Sequence, residues 1–81
     1  ATTEIYPLSL HDALLIYAAL EQFDRLLPGD PGVTFLLGVS AEGLGQRTVA
    51  ARQYYKYLQM TQQGEAAQFS YTRLKSWGMV R

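Results

Sequence analysis

The sequence predicts an all-α protein, a compact bundle of three to four helices forming one domain over residues 1–81. Apolar residues recur at helical spacing through three segments, and proline and glycine mark the joints between them. With 48% hydrophobic and 17% charged residues, the chain also has enough apolar mass to fold. A domain of this size buries only about 60 to 65% of the surface its unfolded chain exposes. It has no cysteine, so a packed core or a partner, rather than disulfides or thiolate–metal bonds, must stabilise it.

The first helix is announced by Pro7 and by Ser9, an N-cap residue type, with Asp12 three positions later in a capping-box-like arrangement. It should run from about Leu10 to Leu27 and end at "PGDPG". Its main stripe, Ala13, Ile16, Leu20, Phe23 and Leu27, is the expected core face, and Glu21 and Arg25 form a favourably oriented i,i+4 pair on the polar strip. Leu15, Ala19 and Leu26 make a second apolar stripe. A helix apolar on two sides is either the centre of its bundle or half of an interface.

Asp30 followed by Pro31 starts the second helix, because Asp accepts from orphan amides and Pro at the first position gives up no hydrogen bond. This helix should span Pro31 to Glu42 and stop at Gly43, although "VTFLLGV" also fits a buried strand. The third, from about Gln46 to Gln63, closes at Gly64. Ala50, Ala51, Tyr54, Tyr57 and Leu58 gather on one side, with Arg52, Lys56, Gln59 and Gln63 on the other. The last segment opens with Glu65 and closes with Arg73, Lys75 and Gly78, the order a helix macrodipole favours. Its "QFSYTRL" also alternates and is rich in β-formers, so a short C-terminal β-hairpin or wing is the alternative. Tyr54, Tyr57 and Tyr17 are expected to pack in or near the core, and Tyr55 and Tyr71 to lie on the surface. Trp77 is either a bundle anchor or an interface hot spot.

Zero net charge hides a division. Through Gly43 the acids Glu4, Asp12, Glu21, Asp24, Asp30 and Glu42 face Arg25 alone, whereas from Leu44 onward Arg47, Arg52, Lys56, Arg73, Lys75 and Arg81 face only Glu65. This asymmetry points to a surface for a polyanion or to self-complementary association, unless the halves neutralise each other in the fold.

Catalysis finds little footing. The single histidine, His11, neighbours Ser9 and Asp12, but residues one or two apart on a helix do not face each other. One His and no Cys give no zinc spacing, and the glycines of "GVSAEGLGQRT" fit neither a dinucleotide nor a phosphate loop, so neither enzyme activity nor a cofactor is expected. The N-terminal region has no basic segment, and its longest apolar run, Ala13 to Leu20, is too short for a bilayer; a soluble, cytoplasmic protein without a membrane partner is the expectation.

Nucleic-acid recognition has more material. Arg and Lys neutralise phosphates, Gln and Arg pair with base edges, and Thr or Tyr bonds phosphate or stacks. Arg47, Thr48, Arg52, Gln53, Lys56 and Gln59 place these types on one element, and Arg73 and Lys75 add cations from the last. The succession "FLLGVSAEGLGQRTVAARQYY" resembles a helix-turn-helix with either "LGVS" or "EGLGQ" as the turn. The segment "TRLKSWGMVR" resembles the end of a winged-helix recognition helix, where Leu74, Gly78, Met79 and Val80 would lead into the wing. "PLSLHDALLIYAAL" is similar to the first helix of the winged-helix domain in archaeal replication initiators, a likeness from which no functional residue is carried across. These local resemblances imply a non-catalytic DNA-binding domain of helix-turn-helix type. The alternative is a small interaction or structural subunit, a homo-oligomer or a component of a phage, viral or multi-subunit assembly, docking through Leu15, Ala19, Leu26 and Trp77.

Overall fold

The computed structural model describes residues 10–80. Four helices follow in order, α1 (Leu10–Leu26), α2 (Pro31–Gly43), α3 (Arg47–Met60) and α4 (Glu65–Ser76). The extensive packing is α1 on α2, α2 on α3 and α3 on α4. The expected Ser9 cap, Glu4 and Arg81 lie outside the described residues.

At the start of α2 the Val33 N–H donates to Asp30 Oδ1 (3.1 Å), the Thr34 hydroxyl donates to the Asp30 carbonyl (3.1 Å), and Pro31 occupies the first turn. The orphan donors of that turn are thus largely spoken for, and "VTFLLGV" is helix rather than strand. The stop comes two residues later than expected. Gly45, at φ 77°, takes the left-handed position, its N–H bonding the Glu42 carbonyl (3.0 Å) while the Gln46 N–H bonds that of Ala41 (2.9 Å). That Schellman pairing satisfies the last carbonyls of α2 and turns the chain into α3 within three residues, Leu44 to Gln46. Of the two turns considered, "EGLGQ" contains the one that forms.

The same device overturns the C-terminal hairpin. The Gly78 N–H bonds the Lys75 carbonyl (3.0 Å), the Met79 N–H bonds that of Leu74 (2.9 Å), and Gly78 sits at φ 72°. "RLKSWGM" is therefore a helix with its terminator, and no strand forms among the described residues. Ala67, Ser70 and Leu74 are buried at helical spacing, and the Ser70 hydroxyl donates to the Ala66 carbonyl one turn back (2.9 Å). Packing at a period of 3.6 prevails over the alternation of "QFSYTRL". α3 ends at Met60 rather than Gln63, because Thr61 is extended (φ −150°, ψ 142°) and redirects the chain towards α4.

The core lies between α2, α3 and α4. Ala41, Ala50, Ala51, Tyr54 and Leu74 form its buried centre. Tyr54, completely buried, is the hub of an aromatic cluster with ring centroids 6.0 Å from Phe35, 5.9 Å from Phe69 and 6.1 Å from Trp77. Such tilted and edge-on pairs add to the area they bury. Tyr57 is also buried, Tyr17 half-buried, and Tyr55 and Tyr71 exposed.

α1 departs most from expectation. It buries Ala13 fully and half-buries Tyr17, Leu20 and Asp24, whereas Ile16, Phe23 and Leu27 of the expected core stripe are 39%, 42% and 61% exposed. The inward line is rotated along the helix surface because α2 supplies most of the cover, and one neighbour hides only a narrow strip. A side chain at Gly43 would meet the Ala13 methyl at 3.3 Å, so a pair of small residues sets how closely the two helices approach.

Candidate functional site

Glu42 is where three helices meet through polar contacts. This carboxylate ends α2, where the helix dipole disfavours an acid, and two side chains compensate. The Tyr54 hydroxyl donates to its Oε1 (2.8 Å), and Arg73 of α4 forms an ion pair with it, its Nε donating to the same oxygen (3.3 Å). The lock joins three helices. Burial pushes the Tyr54 phenol up to about 12, well above its ordinary value of 10. Arg73 is therefore held by a carboxylate from the acidic half of the chain.

Around Trp77, half-buried at the end of α4, the Arg73 guanidinium lies 5.4 Å and the Arg47 guanidinium 5.5 Å from the ring centroid. Arg73 is also 5.7 Å from the Phe69 ring. Glu42, Gly45, Arg47, Arg73 and Trp77 line one small cleft. Two of the basic residues singled out for DNA are thus engaged within the fold, and Trp77 anchors the junction of the α2–α3 turn with α4. Neutralisation of the basic half by the acidic half holds for Arg73 with Glu42, while Arg47 is exposed and lies over the Trp77 ring.

The remaining candidates divide by helix face. Thr48, Arg52, Lys56 and Gln59 are exposed and lie within about 80° of arc on the outer side of α3. Thr48 and Arg52 share an open cleft with Ala51, Tyr55, Leu74 and Met79. Gln53 turns to a different side, where its Oε1 is buried without a hydrogen-bond partner. Lys75 is exposed on α4 beside the buried Leu74. The structure brings Thr48, Arg52, Lys56 and Gln59 together but does not add Gln53 or Arg73 to that face.

The outer face of α1 is apolar. Leu15 is 57%, Leu26 74% and Leu27 61% exposed, and Ala19, Ile16 and Phe23 lie on the same side. At about 100° per residue the six fall within an arc of about 120°. The expected second stripe of Leu15, Ala19 and Leu26 and the outward part of the expected core stripe are one continuous surface. Glu21 and Arg25 lie on the other flank, whereas Asp12 is in line with the stripe one turn before Leu15; the Tyr17 hydroxyl bonds Glu21, among the described residues in place of the expected Glu21–Arg25 pair. Burial first and then Glu21 raise the Tyr17 phenol, against the pull of Arg52.

No known protein family matches the chain, and neither a curated protein nor a solved structure is similar to it. Function must therefore be argued from these two faces. The sequence reading missed Ile16, Phe23 and Leu27 as surface residues, and the available signal was arithmetic: a two-striped helix of 17 residues has only three shorter helices to cover it. It also missed Glu42 as the partner of Arg73, for which no local signal exists across 31 positions. No group of three or more metal-ligating side chains occurs among the described residues, and no helix among them is long and apolar enough to cross a membrane.

Proposed function

We propose that the protein is a non-catalytic helical interaction subunit that docks the outer face of α1 onto another protein. The observation that carries this reading is the run of exposed apolar side chains from Leu15 to Leu27, with Leu15, Leu26 and Leu27 each more than half open to solvent. Monomers rarely keep apolar patches of more than a few hundred Å² uncovered, and burial returns about 25 cal/mol per Å². The test is stability at dilution. Leu26→Ser and Leu27→Ser should each change the unfolding free energy by no more than about 0.5 kcal/mol in dilute urea titrations, as surface substitutions do. A loss of about 2 kcal/mol or more would mean that the chain covers this face itself, and the reading would fall.

A second reading, binding of duplex DNA through α3, is favoured by one observation: Thr48, Arg52, Lys56 and Gln59 share the exposed face of the helix that follows the three-residue turn. Two cations on that face predict weak binding with a log–log salt slope near −2, at about −0.9 per phosphate. Arg52→Ala should shallow the slope by about 1. Fluorescence anisotropy with a labelled duplex at several salt concentrations measures both, and no binding at low salt removes this reading.

A further inference from the structure

α3 and α4 pack together along an open groove with a tyrosine on each wall. Ala51, Tyr55 and Leu58 of α3 and Ala67, Tyr71 and Leu74 of α4 follow the same i, i+4, i+7 spacing, which sets each trio on one face of its helix. One cleft, between Thr48, Arg52 and Tyr55 of α3 and Leu74 of α4, and a second, between Leu58 and Tyr71, follow one another along the junction. The floor is closed, with Ala51 6%, Ala67 3% and Leu74 1% exposed, whereas Tyr55 and Tyr71 stand 54% and 41% exposed. We propose that this groove binds single-stranded nucleic acid, with bases stacked on Tyr55 and Tyr71 and the backbone held by Arg52 and Lys75. The site stands apart from docking through α1 and shares only Thr48 and Arg52 with the duplex face of α3.

Charge selects the class of occupant. Arg52 lines the first cleft and Lys75 follows Leu74 on α4, both exposed, and among the described residues no acid lines either cleft. Glu65, the one acid of α3 and α4, sits about 150° round its helix from the line through Ala67, Tyr71 and Leu74. An anion therefore suits the groove, and the surface left open decides which. A partner helix needs aliphatic side chains to interlock with, but Ala51, Ala67 and Leu74 are already buried between α3 and α4. What remains open is ring surface, the Met79 side chain (46% exposed) and the amides of Gln62 and Gln68. Every base has a face that stacks on an aromatic ring, and side-chain amides pair with base edges. An unpaired strand presents both to the groove, whereas a duplex keeps its base faces inside the stack.

Fluorescence anisotropy of the full chain with a labelled oligothymidylate of about twelve nucleotides, within the span that small single-strand modules cover, tests the proposal. Binding is expected at low salt, with a log–log salt slope of about −1.4 for two phosphates at about −0.7 each. Lys75→Ala should shallow that slope by about 0.7. Tyr55→Ala and Tyr71→Ala should each weaken binding roughly tenfold, the loss of one stacked base, while Tyr55→Phe and Tyr71→Phe keep the ring and hold affinity within about twofold. Both positions are exposed, so the fold tolerates these changes, and a melting curve of each variant checks it. Three results overturn the proposal. No binding at low salt, or wild-type affinity in both alanine variants, removes the groove as a site. Binding of a labelled duplex alone, indifferent to Tyr71→Ala, leaves only the outer face of α3 as a DNA reader. Preference for a labelled polyglutamate over the oligonucleotide assigns the groove to an acidic protein instead.

Discussion

Replacing Tyr54 with alanine is expected to cost about 3–5 kcal/mol, the range for emptying a fully buried aromatic site. A domain of this length has a total margin of only about 4–12 kcal/mol. The ring is completely buried and touches Phe35, Phe69 and Trp77, which come from α2, from α4 and from the turn after α4. Its removal therefore loosens both contacts of α3 at once. Thermal melting should fall by about 12–40 °C, at about 4–8 °C per kcal/mol for a domain of this size. Tyr54→Phe keeps the ring and loses only the bond to Glu42, which Arg73 still pairs, so it should cost about 1 kcal/mol. The phenol adds a pH signature. Its folded pKa of about 12 exceeds the ordinary 10, so its contribution is complete below pH 10 and fades as pH rises through 12, where the unfolded chain releases the proton more readily. Urea titrations of wild type and Tyr54→Phe from pH 8 to 12 should meet near pH 11 and then cross, because a rise of about two pKa units outweighs the ~1 kcal/mol lost with the hydroxyl. A loss below about 1 kcal/mol for Tyr54→Ala would remove Tyr54 from the centre of the fold.

Gly38→Ala is expected to be the most damaging single-methyl change in the chain. Gly38 lies inside α2, where alanine would ordinarily gain up to about 1 kcal/mol in helix propensity. Here the added methyl would stand 2.6 Å from Tyr54 Cε1 and 2.7 Å from Cδ1, closer than carbon atoms approach without something moving. The ring cannot retreat, held as it is by Phe35 on one side and Trp77 on another. α2 and α3 must separate instead, for a net loss of about 2 kcal/mol after the propensity gain. Chemical denaturation measures it. An increase in stability would show that the helices part at no cost.

What the sequence made legible follows the reach of local rules. Asp30 and Pro31 announced the start of α2, and Gly64 the break after α3, because caps and breakers act within one turn. Ala50, Ala51, Tyr54 and Tyr57 were readable as the inner face of α3, whose stripe admits one choice. α1 offered two stripes, and only its neighbours decide which turns inward. Helical projection alone could not know that α2 would cover the line through Ala13 and Tyr17 and leave Phe23 and Leu27 outside. The C-terminal segment was ambiguous for a different reason. The alternation of "QFSYTRL" and the terminator at Gly78 were both visible, and the hydrogen-bonded terminator prevails over a pattern with no strand to pair. For the candidate site, the sequence supplied the right residue types on α3 but not the pairing of Arg73 with Glu42. That contact depends on how α2 and α4 meet around Tyr54.

The order in which the helices pack, each chiefly against the next along the chain, also governs how the molecule forms. Contacts between sequence neighbours require only short loops to close, so contact order is low and assembly is fast. α2, α3 and α4 share the aromatic nucleus and can condense together, while α1 adds as a terminal layer that is the cheapest to detach. Fraying of that layer frees the Ala13 side of the helix without disturbing Tyr54.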